Sequence, residues 1–240
     1  MKNLFWIGIV LVAFTVSCTC KNSTKKVADT EKISTEYSEK CKNTITFKNE
    51  DFYKADGTFD VEKGKDAIVA LAKYHGYNIF PGFRESLWVS DYGTGKYTDL
   101  GLAAYMFKNN EKDKYMLMDL FLLPNQMLPE HWHLDGESNP AKLEGWLVRS
   151  GKSYIVGQGE DNLTSFAAIR IPSCHMNGEV ETKHVVEGTP GTFTPQDVVY
   201  AKHWQFGGSE GAVITEVANV HTDASVRHND KAINDNFLGK

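Results

Sequence analysis

No run of basic residues gathers beyond the N-terminal segment of this chain, and 26 lysines and arginines stand against 31 aspartates and glutamates for a formal net charge of −5. Such a surface builds no field that would collect nucleic acid, and that class of partner is excluded. Cysteine is scarce, four in 240 residues, and none falls in the stretch where the histidines and acidic residues gather. No repeat or low-complexity segment follows residue 43. Apolar residues make up 41% of the chain and aromatics 12%, enough for one sizeable core and hardly for two, so residues 44–240 are expected to form a single domain.

The N-terminus is different in kind. Met1-Lys2-Asn3 is a short positive start, Leu4 to Phe14 is an unbroken apolar stretch, and Thr15-Val16-Ser17-Cys18 follows. The stretch is too short for a comfortable membrane span and reads as a secretion signal over residues 1–17. The small Ser17 before Cys18 resembles the cleavage site of bacterial lipoproteins, which implies lipidation of Cys18 and an envelope location; a plain signal peptide cut nearby is the alternative. Residues 18–43 are rich in Lys, Ser, Thr and Glu with almost no large apolar side chain, the composition of a solvated tether. With Cys18 lipidated, Cys20, Cys41 and Cys174 remain, and a Cys41–Cys174 staple and free thiols both stay open.

Val61 to His75 places Ile68, Val69, Leu71 and Ala72 at helical spacing, and Gly76 supplies a stop. One helix is expected there. From Leu87 onward the pattern changes to short apolar runs split by turn residues: 100–107, 115–123, 144–149, 153–156, 165–171, 191–193, 197–200 and 211–220. Many short strands at modest spacing suggest a sandwich or barrel. Residues 229–240 are polar enough for a loose or docking tail.

The chemistry concentrates between Gln126 and Gly151. His131 and His133 sit at i and i+2 in an apolar segment, so on a strand both imidazoles point to one face. After a ten-residue gap, Glu144 opens a second apolar run and stands six residues before Gly151, whose glycine suggests a hairpin return. Two imidazoles and a carboxylate suit manganese, iron, nickel, cobalt or zinc better than a closed structural zinc. Burying them without a metal leaves costly polar groups to satisfy. Lys142, two residues before Glu144, can share the same face on a strand. Glu216 interrupts the apolar run 211–220 and needs a partner if it faces inward, which a substrate hydroxyl or a catalytic proton would supply. His75, His175, His184, His221 and His228 have no such company and are expected to be surface or helix residues. Of Trp132, Trp146, Trp204 and Phe206, most are expected in the core, with an inward ring available to stack on a ligand.

His-x-His, a later glutamate and six residues to a glycine resemble the first motif of the cupins, double-sheet jelly-roll barrels with a metal held inside. The resemblance implies an all-β fold with one or two N-terminal helices, and a third histidine from a later strand, the place His203 matches. Glu137 fits the usual short gap after the second histidine, but Glu144 opens a plausible strand and is preferred. Within the cupins, Gln126-x-x-Pro129-x-His131-x-His133 with Lys142-x-Glu144, and the run Gly211 to Val220 followed by Asp223, resemble the sugar-isomerising D-lyxose isomerases. That likeness covers about residues 100–235. It implies aldose–ketose interconversion of a neutral sugar through an enediol, with His131, His133, Glu144 and His203 as ligands of a divalent metal, manganese foremost. Glu216 would be the base and Lys142 its partner, and a homodimer would form through sheet edges. A metal-dependent cupin dioxygenase and a non-catalytic envelope sugar-binding cupin are the alternatives.

Overall fold

A computed structural model describes residues Thr44–Lys240, which form one unit. The expected signal, the Cys18 lipidation site, the tether and Cys41 lie outside the described residues. Cys174 is a half-buried free thiol.

Period-two alternation builds the sheet. Strand β2 (Leu102–Asn110) turns Leu102 and Ala104 to the inside and Ala103 to the outside, and β3 (Tyr115–Leu122) sends Met116, Met118, Leu120 and Leu122 inward and Phe121 outward. Both faces are buried because helix α1 (Val61–Tyr74) covers the outer one. Asp60 caps its start, accepting from the amides of Glu62 and Lys63, which satisfies two of the donors a helix N-terminus leaves free. Its buried stripe of Ala67, Ile68, Leu71 and Ala72 packs with Phe83, Phe121 and Val213. Fully burying Ile68 and Leu71 contributes about 1.5–3 kcal/mol each. Gly64 lets the helix approach, since a Cβ there would stand 2.8 Å from Val89 Cγ1.

The remaining strands are β1 (Trp88–Ser90), β4 (Met127–His133), β5 (Glu144–Gly157), β6 (His184–Gly188), β7 (Phe193–Gln196), β8 (His203–Ala218) and β9 (Val226–His228). All named pairs are antiparallel, in the order β1-β2-β3-β8-β4-β9, with β5 joined to β6, β7 and β8. Strands β5 and β8 form the spine, paired from Glu144↔Ala218 to Val156↔Trp204. The first half of β8 pairs β4 and its second half pairs β3, so one long strand serves both layers.

Three sequence expectations need correction. Gly151 does not return the chain in a hairpin: β5 runs through it, and two register shifts flank it. Its φ of +70° faces Gly211 at φ +73°, and a Cβ on Gly151 would stand 2.1 Å from the Gly211 carbonyl oxygen. The two glycines let the spine strands bend together. Residues 165–171 are not a strand but local turns, Phe166 N–H to Leu163 O and Ile169 N–H to Phe166 O; their apolar side chains cover the cluster around Tyr154 and Trp204. Residues 197–200 form a turn instead of a strand, with Tyr200 at φ +63°. The tail docks, through α2 (Lys231–Phe237), capped by Asp230 and anchored by buried Ile233.

Candidate active site

Strand β4 brings the His-x-His pair inward as its period requires, and a bulge sets the register. Leu128 pairs with Gln205 and His131 with His203, so Pro129 and Glu130 together oppose Trp204. Proline has no amide to give the ladder, which makes it suited to such a position. His131 and His203 therefore lie side by side on one face, ring centroids 4.2 Å apart. The ligand atoms of His131, His133 and His203 all lie within 4.8 Å of one another, and all three residues are buried. His131 Nδ1 donates to the Pro129 carbonyl at 2.8 Å, and His203 Nδ1 lies 3.0 Å from the Ala201 carbonyl. The His131 bond leaves its Nε2 as the lone-pair donor, while His203 Nδ1 also has the Gln196 side-chain amide nitrogen at 2.9 Å.

Glu144 closes the group. Its Oε1 stands 3.0 Å from His133 Nε2 and 3.2 Å from His203 Nε2, yet none of these three buried atoms makes a well-directed hydrogen bond within the described residues. Atoms so arranged converge on a shared point and not on each other. Each unmade bond costs about 1–3 kcal/mol, and a divalent cation resolves all three at once. Three imidazoles and a carboxylate are the donor set such an ion takes. Glu137, in the loop after β4, is exposed and takes no part.

Beside this group runs a buried charge row. Lys142 Nζ lies 2.9 Å from Glu144 Oε2 and also bonds Glu216 Oε1, while Glu216 Oε2 accepts from Trp146 Nε1 at 3.2 Å. Glu216 and Trp146 are cross-strand partners, as are Glu144 and Ala218, which places both carboxylates on one face. Burial raises the Glu216 pKa to about 7, with the Glu144 charge adding to it and Lys142 opposing. Burial also works to raise Glu144, but Lys142 and the histidines outweigh it and hold that carboxylate well below its usual range. Burial would lower Lys142, and its two carboxylates reverse that, raising its pKa. Burial lowers His133 to about 4 and, with the neighbouring His203 and His133, takes His131 well below its ordinary value.

A cavity of about 320 Å³ opens onto these groups. His131, His133, Lys142 and Glu216 form its polar side, while Leu102, Met118, Leu120 and Leu128 line an apolar side. All six internal residues singled out from the sequence, His131, His133, Lys142, Glu144, His203 and Glu216, thus come together. Three readings of other histidines need correction. His175 is fully buried, its Nε2 accepting from the Glu130 amide; His221 lines the cavity beside Asp223, its Nε2 2.8 Å from Asp223 Oδ1; and His228 is 4% exposed and also lines the cavity. None of the three sits in a long alternating run: His175 and His221 lie outside the strands, and His228 is given its direction by the pairing of β9 with β4. His75 caps α1 and His184 lies on β6, both away from the cluster. Trp146 packs against His203, Trp204 and Phe206 are core, and Trp132 carries Lys202 over its ring.

No protein-family model matches the chain. Its backbone superposes on two solved L-ribose isomerases. That of Acinetobacter sp. DL28, in complex with L-ribose, gives a TM-score of 0.54 at 12% identity over 78% of this chain and 97% of that one. That of Cellulomonas parahominis gives 0.52 at 12% identity over 77% and 96%. The fold is the cupin barrel. By sequence, the chain is 29% identical over 164 residues to a D-lyxose ketol-isomerase of Cohnella laeviribosi, spanning 67% of this chain and 85% of that one. It is 28% identical over 172 residues to a D-lyxose/D-mannose isomerase of Thermosediminibacter oceani, spanning 69% and 88%.

Proposed function

We propose that this cupin is a metal-dependent aldose–ketose isomerase acting on a neutral sugar of the D-lyxose/D-xylulose kind. The observation that carries the reading is the buried Glu144–Lys142–Glu216 row opening, beside the three-histidine group, into one cavity. Relatives named for D-lyxose and D-mannose isomerisation support the substrate class. Among the described residues that line the cavity, the one permanent cation is Lys142, already held between two carboxylates, which favours an uncharged sugar over a phosphorylated one.

His131, His133, Glu144 and His203 would hold the ion, manganese by family likeness. A bound divalent cation supplies Lewis acidity to the sugar oxygen on which negative charge develops. Glu216 takes the proton from the carbon next to the carbonyl and returns it to the former carbonyl carbon, while the proton of the adjacent hydroxyl passes to the former carbonyl oxygen, so that the enediol forms and collapses with every proton accounted for. A carboxylate with a pKa near 7 is suited to both halves of that transfer. Lys142 holds Glu216 in place and offers an N–H to the hydroxyl that exchanges its proton. The Trp146 indole fixes the other carboxylate oxygen, so that Glu216 turns one oxygen and one lone pair to the substrate.

The test uses the full chain loaded with manganese, in D₂O without oxygen, against pentoses and hexoses followed by NMR. Deuterium at C1 or C2 of one sugar, absent with His131→Ala, is the expected result. Exchange in none, with the metal bound, rejects the isomerase and turns attention to oxygen consumption and to sugar binding without turnover. The envelope location rests on Met1 to Cys18 alone, and labelling with a radioactive fatty acid in wild-type and Cys18→Ser chains tests it. Pairing of two copies rests on family likeness, and a solution mass measurement decides it.

A further inference from the structure

The His228 side chain makes no hydrogen bond among the described residues, though it is among the most deeply placed polar side chains of the cavity wall. Strand β9 pairs with β4 so that His131 opposes His228 on one side and His203 on the other. Cross-strand partners share a face, and the three imidazoles form one row across β8, β4 and β9. His228 is 4% exposed, and neither ring nitrogen has a hydrogen-bond partner among the described residues. It stands outside the group of three histidines whose ligand atoms lie within 4.8 Å of one another. Its ring is wedged between Tyr92 and Phe237, centroids 5.1 and 5.0 Å away.

The backbone here is firmly held. The His228 amide donates to Asn234 Oδ1 at 3.0 Å, the Asn229 amide to the Glu130 carbonyl at 3.0 Å, and Asp230 caps α2. An aromatic hydrocarbon would fill the gap between Tyr92 and Phe237 at no polar cost, whereas the imidazole brings two polar atoms with an unsatisfied cost of about 1–3 kcal/mol each. A neutral imidazole carries one donor and one acceptor, the pair a sugar hydroxyl or two adjacent hydroxyls complete. The His228 ring stands 5.7 Å from that of His131 and shares no hydrogen bond or ion pair with Lys142, Glu144 or Glu216 among the described residues, so a group it holds is held separately from the row that would move the proton.

The geometry points to His228 as the residue that reads a hydroxyl of the open-chain sugar remote from the reacting carbons, and thereby sets which polyhydroxy chain the site accepts. The inference rests on the isomerase reading. A site built to hydrogen-bond a hydroxyl rejects the analogue that lacks it, because its own polar groups are then left unpaired.

The experiment compares the full-length, manganese-loaded wild type with His228→Phe and His228→Gln. Each is given the best pentose or hexose from the exchange panel and its analogues deoxygenated singly at the remote carbons, with bound metal and thermal stability measured alongside. Wild type is expected to lose roughly 10- to 100-fold in kcat/KM on one deoxygenation. That penalty should vanish in His228→Phe, which handles both sugars at the lower level, and return in part in His228→Gln. An unchanged penalty in His228→Phe overturns the inference while leaving the isomerase intact, as does loss of metal, which would make His228 a holder of the ion. If His228→Phe fails to fold, an absence of any deoxygenation penalty in wild type, or a penalty unaltered in His228→Gln, overturns it equally. If no sugar undergoes exchange, the isomerase reading has failed, and calorimetric titration of the same sugars decides the inference: binding that His228→Phe loses sustains it, and equal or absent binding rejects it.

Discussion

Lys142 is a single ammonium buried between two carboxylates, and that position fixes what each neighbour can do. Glu144 is kept ionised and available to an ion, while Glu216 is left near neutrality. Glu216→Gln keeps the shape and the bond to Trp146 while removing the proton acceptor. Turnover is expected to fall by about 10² to 10⁴ with the metal retained, measured as kcat beside metal content; loss of the ion would make Glu216 a ligand. Lys142→Met leaves the two carboxylates without their cation. Breaking a buried ion network from one side costs about 3–5 kcal/mol, read as a lower midpoint in urea. Because the proposed base, Glu216, must be ionised to act, kcat is expected to decline on the acid side of a limb at or below about 7, since a nearby divalent cation lowers a carboxylate pKa. A profile flat down to the pH at which the metal itself is lost would remove Glu216 from the proton transfer. These residues were legible in the sequence because each breaks a pattern: two histidines at strand spacing, a glutamate inside an apolar run, a lysine two residues before an acid. His228 breaks none, since Val226 and Arg227 precede it in a three-residue strand, and only its pairing with His131 gives it a direction.

At the scale of elements, the long paired strands β5 and β8 decide the site, and their length is set by glycine. Gly151 and Gly211 meet where the two strands bend, and the bend lets the first half of β8 present His203 while its second half presents Glu216. Gly151→Ala adds a Cβ 2.1 Å from the Gly211 carbonyl and asks alanine to hold φ +70°. Strain and backbone clash together are expected to cost roughly 2–4 kcal/mol, with a matching loss of metal affinity as His203 and Glu144 shift apart; calorimetric unfolding and metal titration check both. A loss no larger than that of an exposed Gly57→Ala control would mean the spine tolerates the change. Periodicity split β5 in two at Gly151, as 144–149 and 153–156, and found only the second half of β8, in the run 211–220; its first half, interrupted by Gly207 and Gly208, carries too little apolar periodicity to read as a strand. The same reasoning made a strand of residues 165–171, whose apolar side chains cover a core cluster from outside without joining a ladder. Alternation reports burial on a face, and a covering loop satisfies it as well as a strand does.

For the whole molecule, the candidate ligands come from three strands, β4, β5 and β8, so an ion bound there ties both layers of the barrel. Stripping it is expected to lower stability by about 2.7 kcal/mol when the ion is at a hundred times its dissociation constant, or roughly 5–11 °C for a domain of this size. Acidification then separates the metal-free protein from the loaded one. His133 and His228 have folded pKa values lowered by burial to about 4 and about 3, against 6.5 when unfolded. The unfolded chain therefore takes up protons first as pH falls below 6.5, and each histidine withdraws about 2 kcal/mol of stability by pH 5. His131 adds in the same direction. Glu216 opposes them: its folded pKa of about 7 lies above the unfolded 4.5, so between those values the folded state binds the extra proton and gains from acid. Three histidines outweigh one glutamate. The metal-free protein should lose thermal stability steadily from pH 7 to 5, and His228→Phe should remove about 2 kcal/mol of that slope. A slope unchanged in His228→Phe would mean that the imidazole charges freely in the folded state, and that the cavity around it is wetter than its burial implies.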